Sequence, residues 1–199
     1  MIRQTALAAL LLTSPHPAHA QDDAAPDPCA QASAACRVVA PLRVEAPDGE
    51  VSTVDMGMTL PWVTLGNVLL APGDAVLVSL EEVDGILVPR LLAAGEAARA
   101  GELQPGQVRF DFGPIERGNV MLSVVSTFAD PVEYAALKVS LADGPNRTSV
   151  CTLMPGLTMI EQWSEPIYQL ALWGFRRAEG MSCAEIDLGT PDRLERTAD

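Results

Sequence analysis

Turn chemistry punctuates this chain at short, regular intervals, and that rhythm limits the fold more than any other feature. Eight sites between residues 47 and 156 carry backbone-reversing residues: Pro47-Asp48-Gly49, Pro72-Gly73-Asp74, Asp84-Gly85, Pro105-Gly106, Arg117-Gly118-Asn119, Asp130-Pro131, Asp143-Gly144-Pro145-Asn146 and Pro155-Gly156. Proline presets φ, glycine admits positive φ, and Asn or Asp can bond to the backbone two residues on. Most gaps between these sites leave room for one strand of a meander or sandwich and are too short for a helix and its connections.

The segments between the turns alternate. Val108, Phe110 and Phe112 are separated by Arg109 and Asp111. Val120, Leu122 and Val124 oppose Met121, Ser123 and Val125, and Leu137, Val139 and Leu141 oppose Ala136, Lys138 and Ser140. Tyr168, Leu170 and Leu172 oppose Gln169, Ala171 and Trp173. A period of two places one set of side chains in a core and the other outside it. Trp62–Leu70 and Ala75–Leu80 are more continuously apolar, as in strands buried on both faces. Residues 117–141 read as a hairpin about Asp130-Pro131. One stretch, Pro89–Leu103, is rich in Ala, Leu, Arg and Glu and ends near Gly101, so a short helix or ordered loop is expected there. The sum is an all-β domain, an immunoglobulin-like antiparallel β-sandwich of roughly seven to nine strands, over residues 37–183.

The first twenty residues read as an address. Arg3 supplies a positive start, Ala6–Leu12 a short apolar run, and Ala18-His19-Ala20 a small-x-small cleavage site. The run is too short for a spanning helix, which needs about 20 apolar residues, and no later segment of the sequence is long and apolar enough to cross. Residues 1–20 are therefore expected to be a signal peptide cut before Gln21, followed by a loose polar leader, 21–36, and ending in a polar C-terminal tail, 184–199. The expected destination is the periplasm or the medium.

Cleavage would change the chemistry. Of 199 residues 179 would remain, and His16 and His19, the only histidines, would be lost. The net charge of −13 would become −14 with the loss of Arg3. Without imidazole a Ser-His-Asp or Cys-His mechanism cannot run, and zinc or copper loses its commonest nitrogen ligand. A strongly acidic chain also lacks the Lys and Arg surface that phosphate neutralisation requires, so nucleic acid is not an expected partner.

Cys29, Cys36, Cys151 and Cys183 form an even set. In an exported chain they are expected as disulfides, paired Cys29–Cys36 and Cys151–Cys183 because each pair is local in sequence. The chain contains no C-x-x-C motif.

Several residues carry possible chemistry. Lys138, the only lysine, shares a strand face with Ser140, the geometry of a Ser-Lys dyad. Asp111 with Glu116, or Glu161 with Glu165, offer the paired carboxyls of a glycoside hydrolase. Asp22, Asp23 and Asp27, or Glu81, Glu82 and Asp84, could supply oxygen ligands to calcium, although no EF-hand loop is present. Asn146-Arg147-Thr148 matches the glycosylation acceptor pattern. For each of these, solvated surface charge or an ordinary strand position is the plainer account. The segment Cys151–Arg177 concentrates Trp163, Tyr168, Trp173 and Phe175 beside Arg176 and Arg177. Rings with arginine suit a protein interface, yet a chain with only 5% aromatic residues also needs its rings, with Met154 and Met159, in the core.

No cofactor motif is present, and no cofactor is expected. The leading expectation is an exported, non-catalytic module that binds another protein or an envelope component. Two further readings stay open: a carboxylate-based hydrolase acting on envelope polysaccharide, and a structural, disulfide-stabilised envelope protein.

Overall fold

The computed structural model describes Cys29, residues 35–140 and residues 142–184. Residues 1–20, expected to be a signal peptide, lie outside the described residues, as do Asp22, Asp23, Asp27, Leu141 and the tail beyond Ala184. The chain forms β1 (Cys36–Val38), β2 (Leu42–Glu45), β3 (Val51–Val54), β4 (Thr59–Pro61), β5 (Val63–Thr64), β6 (Asn67–Leu70), β7 (Ala75–Val83) and β8 (Ile86–Ala94). A single short helix, α1 (Glu96–Ala100), precedes β9 (Gln107–Phe112), β10 (Val120–Ser126), β11 (Val132–Ser140) and β12 (Gly144–Thr148). The last elements are β13 (Val150–Cys151), β14 (Thr158–Trp163), β15 (Ile167–Arg177) and β16 (Cys183–Ala184).

Two five-stranded antiparallel sheets make the body, in the orders β14-β10-β9-β7-β8 and β12-β11-β15-β6-β5. One core fills the space between them. Val76, Val108, Phe110, Leu122 and Val124 come from the first sheet, and Val68, Leu70, Tyr134, Leu170, Leu172 and Phe175 from the second. Tyr134 stacks on Phe175 with ring centroids 5.6 Å apart, and Phe110 meets Tyr134 edge-on at 6.4 Å. The all-β sandwich expected from the turn rhythm is the observed architecture, and every one of the eight turn sites falls at or beside the end of a strand.

Alternation fails locally where strands bulge. Between Val139↔Gln169 and Ser140↔Ile167 the pairing skips Tyr168, and between Glu133↔Arg176 and Ala135↔Trp173 β15 again carries one residue more than β11. Gly174, at φ 67°, accommodates the second bulge. Each extra residue reverses which parity faces inward. Ile167 and Phe175 therefore enter the core with Leu170 and Leu172, while Tyr168 joins a second cluster with Val39, Leu42 and Ala71.

Three further expectations are corrected. Residues 117–141 are not a hairpin: β10 pairs with β9 and β14, whereas β11 pairs with β12 and β15 in the other sheet, so Asp130-Pro131 is a crossing between layers. Trp62–Leu70 is not one strand: Leu65 and Gly66, at φ 47° and 82°, form a two-residue turn between β5 and β6. The helix near 89–103 is confined to five residues, because Pro89–Ala94 continue β8 along β7. Pairing with a buried neighbour outweighs the weak helical preference of Ala and Leu. Gly95 at φ 61° then ends the strand, and α1 seats Ala98, fully buried, on Ala75 and Leu77.

The four lateral edges of the two sheets are protected in different ways. β8 carries Pro89 and β12 carries Pro145, each lacking the N–H that a further strand would need. β5 is two residues long. β14 has no proline, and it turns a charged residue, Glu161, toward the interior.

Candidate functional site

Two disulfides, Cys29–Cys36 and Cys151–Cys183, join the cysteines in the local pairing. Such bonds belong to chains that fold in an oxidising, non-cytoplasmic compartment. Among the described residues no helix is long and apolar enough to cross a membrane.

The second disulfide closes one side of the sandwich, where β13 pairs with β16 and abuts β14. Glu161 sits opposite Leu122 of β10, on the inward parity of β14 shared by Met159 and Trp163. Its Oε1 accepts the Cys151 backbone N–H at 2.6 Å. Half-burial raises the Glu161 carboxyl above the ordinary glutamate range, against the downward pull of the Cys151 amide. Tyr134 of β11 is fully buried, and its hydroxyl has no hydrogen-bond partner among the described residues. Burial pushes that hydroxyl far above the usual tyrosine range, and the Glu161 charge pushes it further. On the same side Trp163 Nε1 donates to Thr148 Oγ1 at 2.8 Å.

The remaining residues with possible chemistry are held by fold contacts. Lys138 forms an ion pair with Glu165. Ser140 is buried and accepts the Asp143 N–H at 3.1 Å, so the dyad geometry is not formed. Asp111 accepts from Arg99, which also donates to Glu96 and to the Gly73 carbonyl. Glu116 lines an open depression of about 480 Å³ with Glu45, Arg117 and Asn119. Glu81 pairs with Arg90 at 3.0 Å and Glu82 with Arg177 at 2.9 Å. Among the described residues no three His, Cys, Asp or Glu side chains gather as a metal centre requires. Asn146 is exposed on β12, bonding to the Asp143 carbonyl at 3.1 Å.

Three rings of the Cys151–Arg177 segment, Trp163, Trp173 and Phe175, are buried. Trp163 and Trp173 are 8% and 5% exposed and Phe175 is fully buried. Trp163 meets Phe112 edge-on at 6.5 Å, and Trp173 packs with Ala135 and Leu137 on the outer face of the second sheet. Met159 packs against the main core. Arg176 and Arg177 are exposed; Arg176 pairs with Glu133, and Arg177 pairs with Glu82 and Asp130 and lies over Phe128.

Two features have no clear signal in the sequence. Arg37 threads between β4 and the β6–β7 turn, donating to the Leu60, Pro61 and Leu69 carbonyls at 3.2–3.3 Å and pairing with Asp74. Only the position of Asp74 at the end of a Pro-Gly turn pointed there. The other is the outer face of β10 and β14. Met121, Ser123, Val125, Thr158, Ile160 and Gln162 lie on it, and none is charged. Met121 is 47% and Ile160 58% exposed, because α1 covers only the β7 side of this sheet.

Comparison with protein-family models, with curated proteins and with solved structures gave no match in any of the three.

Proposed function

We propose that this chain is an exported, disulfide-stabilised module that holds another protein of the cell envelope and carries out no catalysis of its own, and that its place is the periplasm or the medium. The observation that carries this reading is the uncharged outer face of β10 and β14. On a chain of net charge −13, a face presenting Met121 and Ile160 among Ser123, Val125, Thr158 and Gln162, with Asp111 and Arg109 of β9 along its border, is where an apolar contact forms at little electrostatic cost. Three of the carboxyls that the sequence offers for hydrolysis support it too, since Asp111, Glu161 and Glu165 are engaged by Arg99, the Cys151 amide and Lys138.

Crosslinking in intact cells of the native host, followed by mass spectrometry, tests the proposal. The wild-type chain is expected to yield a defined crosslinked protein, and Met121→Asp with Ile160→Asp to lose it while keeping the wild-type melting temperature. Release of soluble sugar from envelope polysaccharide by the purified chain, abolished by Glu161→Gln, would overturn the reading in favour of the hydrolase. Amino-terminal sequencing of the native product is expected to begin at Gln21, and fractionation separates periplasm from medium.

A further inference from the structure

The outer face of the second sheet is apolar and closed to water. Ala135, Leu137, Ala171 and Trp173 are all buried there. Side chains stand roughly perpendicular to a sheet, so an indole among alanines keeps its upper side in water unless another layer lies on it. Among the described residues the cluster on this face is made by β11 and β15 alone. The helix α1 seats on the other sheet, β2 and β4 pack about Leu42 and Ala71, and the Glu133–Arg176 pair borders the face at one end. The burial is reached within one chain, so neither a second copy nor a partner supplies the cover.

The chain leaves β16 at the border of this face. Ala184 is paired with Val150, two residues past Thr148, whose own partner is Ala136 of β11. From β12 to β15 is about 10 Å across the sheet, and five extended residues reach about 16 Å. Residues 185–188 read Glu-Ile-Asp-Leu. In extended chain this alternation puts Ile186 and Leu188 on one side and the two acids on the other. Arg147 stands opposite Leu137 and supplies a counter-charge to such acids. Residues 21–34 offer no comparable cover, since they contain no Val, Leu, Ile, Met or aromatic residue.

We propose that residues 185–189 run back over the second sheet as a strap, with Ile186 and Leu188 seated on Leu137 and Trp173, and Glu185 and Asp187 along the rim where Arg147 meets them. The strap withholds a tryptophan-bearing apolar face from other proteins and leaves the β10–β14 face as the surface open to contact. The Cys151–Cys183 disulfide sets its anchor, because it fixes β16, from which the strap departs, to β13.

Hydroxyl-radical footprinting read by mass spectrometry tests the strap, because it reports Trp173 and Trp163 separately and Trp163, in the main core, serves as the internal reference. In the chain of residues 21–199 with both disulfides intact, labelling is expected to be low at both rings. Ending the chain at Ala184, or Ile186→Asp with Leu188→Asp, is expected to raise Trp173 labelling several-fold and leave Trp163 as it was. Trimming residues 21–27 is expected to change neither. Should truncation unfold the sandwich, Trp163 is labelled as well, and the milder Leu188→Ala then carries the test through a raised ratio of Trp173 to Trp163 labelling. Trp173 labelling that ignores every change in the tail would overturn the strap. So would labelling that rises on removal of residues 1–20 or 21–27, which would assign the cover to the amino-terminal segment.

Discussion

The Arg37 guanidinium lies 3.7 Å from the centroid of the Trp62 ring. The stack is one face of a tie that also binds Asp74, whose Oδ2 accepts the Ala71 N–H at 2.6 Å. The side chains of Arg37 and Asp74 are 11% and 15% exposed, so the pair is shielded from water and salt. It fastens β1 and β4, which pair with each other, to the β6–β7 turn of the sandwich. A planar fork is needed to reach three carbonyls and a carboxylate while lying on a ring.

Arg37→Lys is therefore expected to lower unfolding stability by about 1–2 kcal/mol although it conserves charge. Asp74→Ala is expected to cost about 2–3 kcal/mol, since it leaves both the guanidinium and the Ala71 amide without their partner. Urea denaturation checks both. A Lys variant equal to wild type would show that the fork and the stack contribute nothing beyond charge.

Trp163 and Trp173 bear directly on where a partner can bind. Both are under a tenth exposed, so truncation removes packing first. Trp163→Ala and Trp173→Ala are each expected to cost about 3–5 kcal/mol. Arg176→Ala and Arg177→Ala, half-exposed and ion-paired, are expected to change stability by only about 0–1 kcal/mol. Calorimetric melts distinguish the two classes. Tryptophan variants that fold normally but lose a crosslinked partner would move the contact from the β10–β14 face to these rings.

The strand pattern was legible in this sequence because turns and alternation are local. Val108, Phe110 and Phe112 alternate with Arg109 and Asp111 in sequence and in burial alike. What local pattern cannot carry is partner choice. Asp130-Pro131 reverses the chain equally well within a sheet or between sheets, and only the packing of β11 against β15 decides for the second. The bulges at Tyr168 and Gly174 were hidden for the same reason, since an extra residue is defined only against the strand opposite. The candidate site was less legible still. Glu161 reads as one acid among 26, and its inward orientation follows from its register against Leu122.

Two glycines separate backbone strain from steric clash. Gly118 and Gly156 have φ of 74° and 69°, a region that costs an L-residue about 1–2 kcal/mol. A Cβ on Gly156 would meet nothing within 4 Å, whereas one on Gly118 would lie 3.1 Å from Pro47 Cγ. Gly156→Ala is expected to lose only the conformational part. Gly118→Ala should lose more, because the Pro47 ring belongs to the β2–β3 turn and must shift. Equal losses in paired denaturation curves would mean that this turn yields freely.

The two disulfides constrain loops of very different length, and their removal should rank accordingly. Cys151–Cys183 has a sequence separation of 32 and Cys29–Cys36 one of 7. By loop-closure entropy alone the longer is worth roughly 3–4 kcal/mol and the shorter roughly 2.5 kcal/mol. The structure widens the difference. Cys151 also donates its amide to Glu161, and Thr152 exchanges backbone and hydroxyl hydrogen bonds with Ser182, so the longer loop is closed onto the side of the core. The double variant Cys151→Ala with Cys183→Ala is expected to lose more than the entropic figure, and to expose the Cys151 amide to hydrogen exchange. Removing Cys29 and Cys36 should free the amino-terminal end while Arg37 keeps β1 in place through Asp74. A larger loss from the shorter loop would mean that the sandwich is anchored at its amino-terminal strands and not at the β13–β14 side.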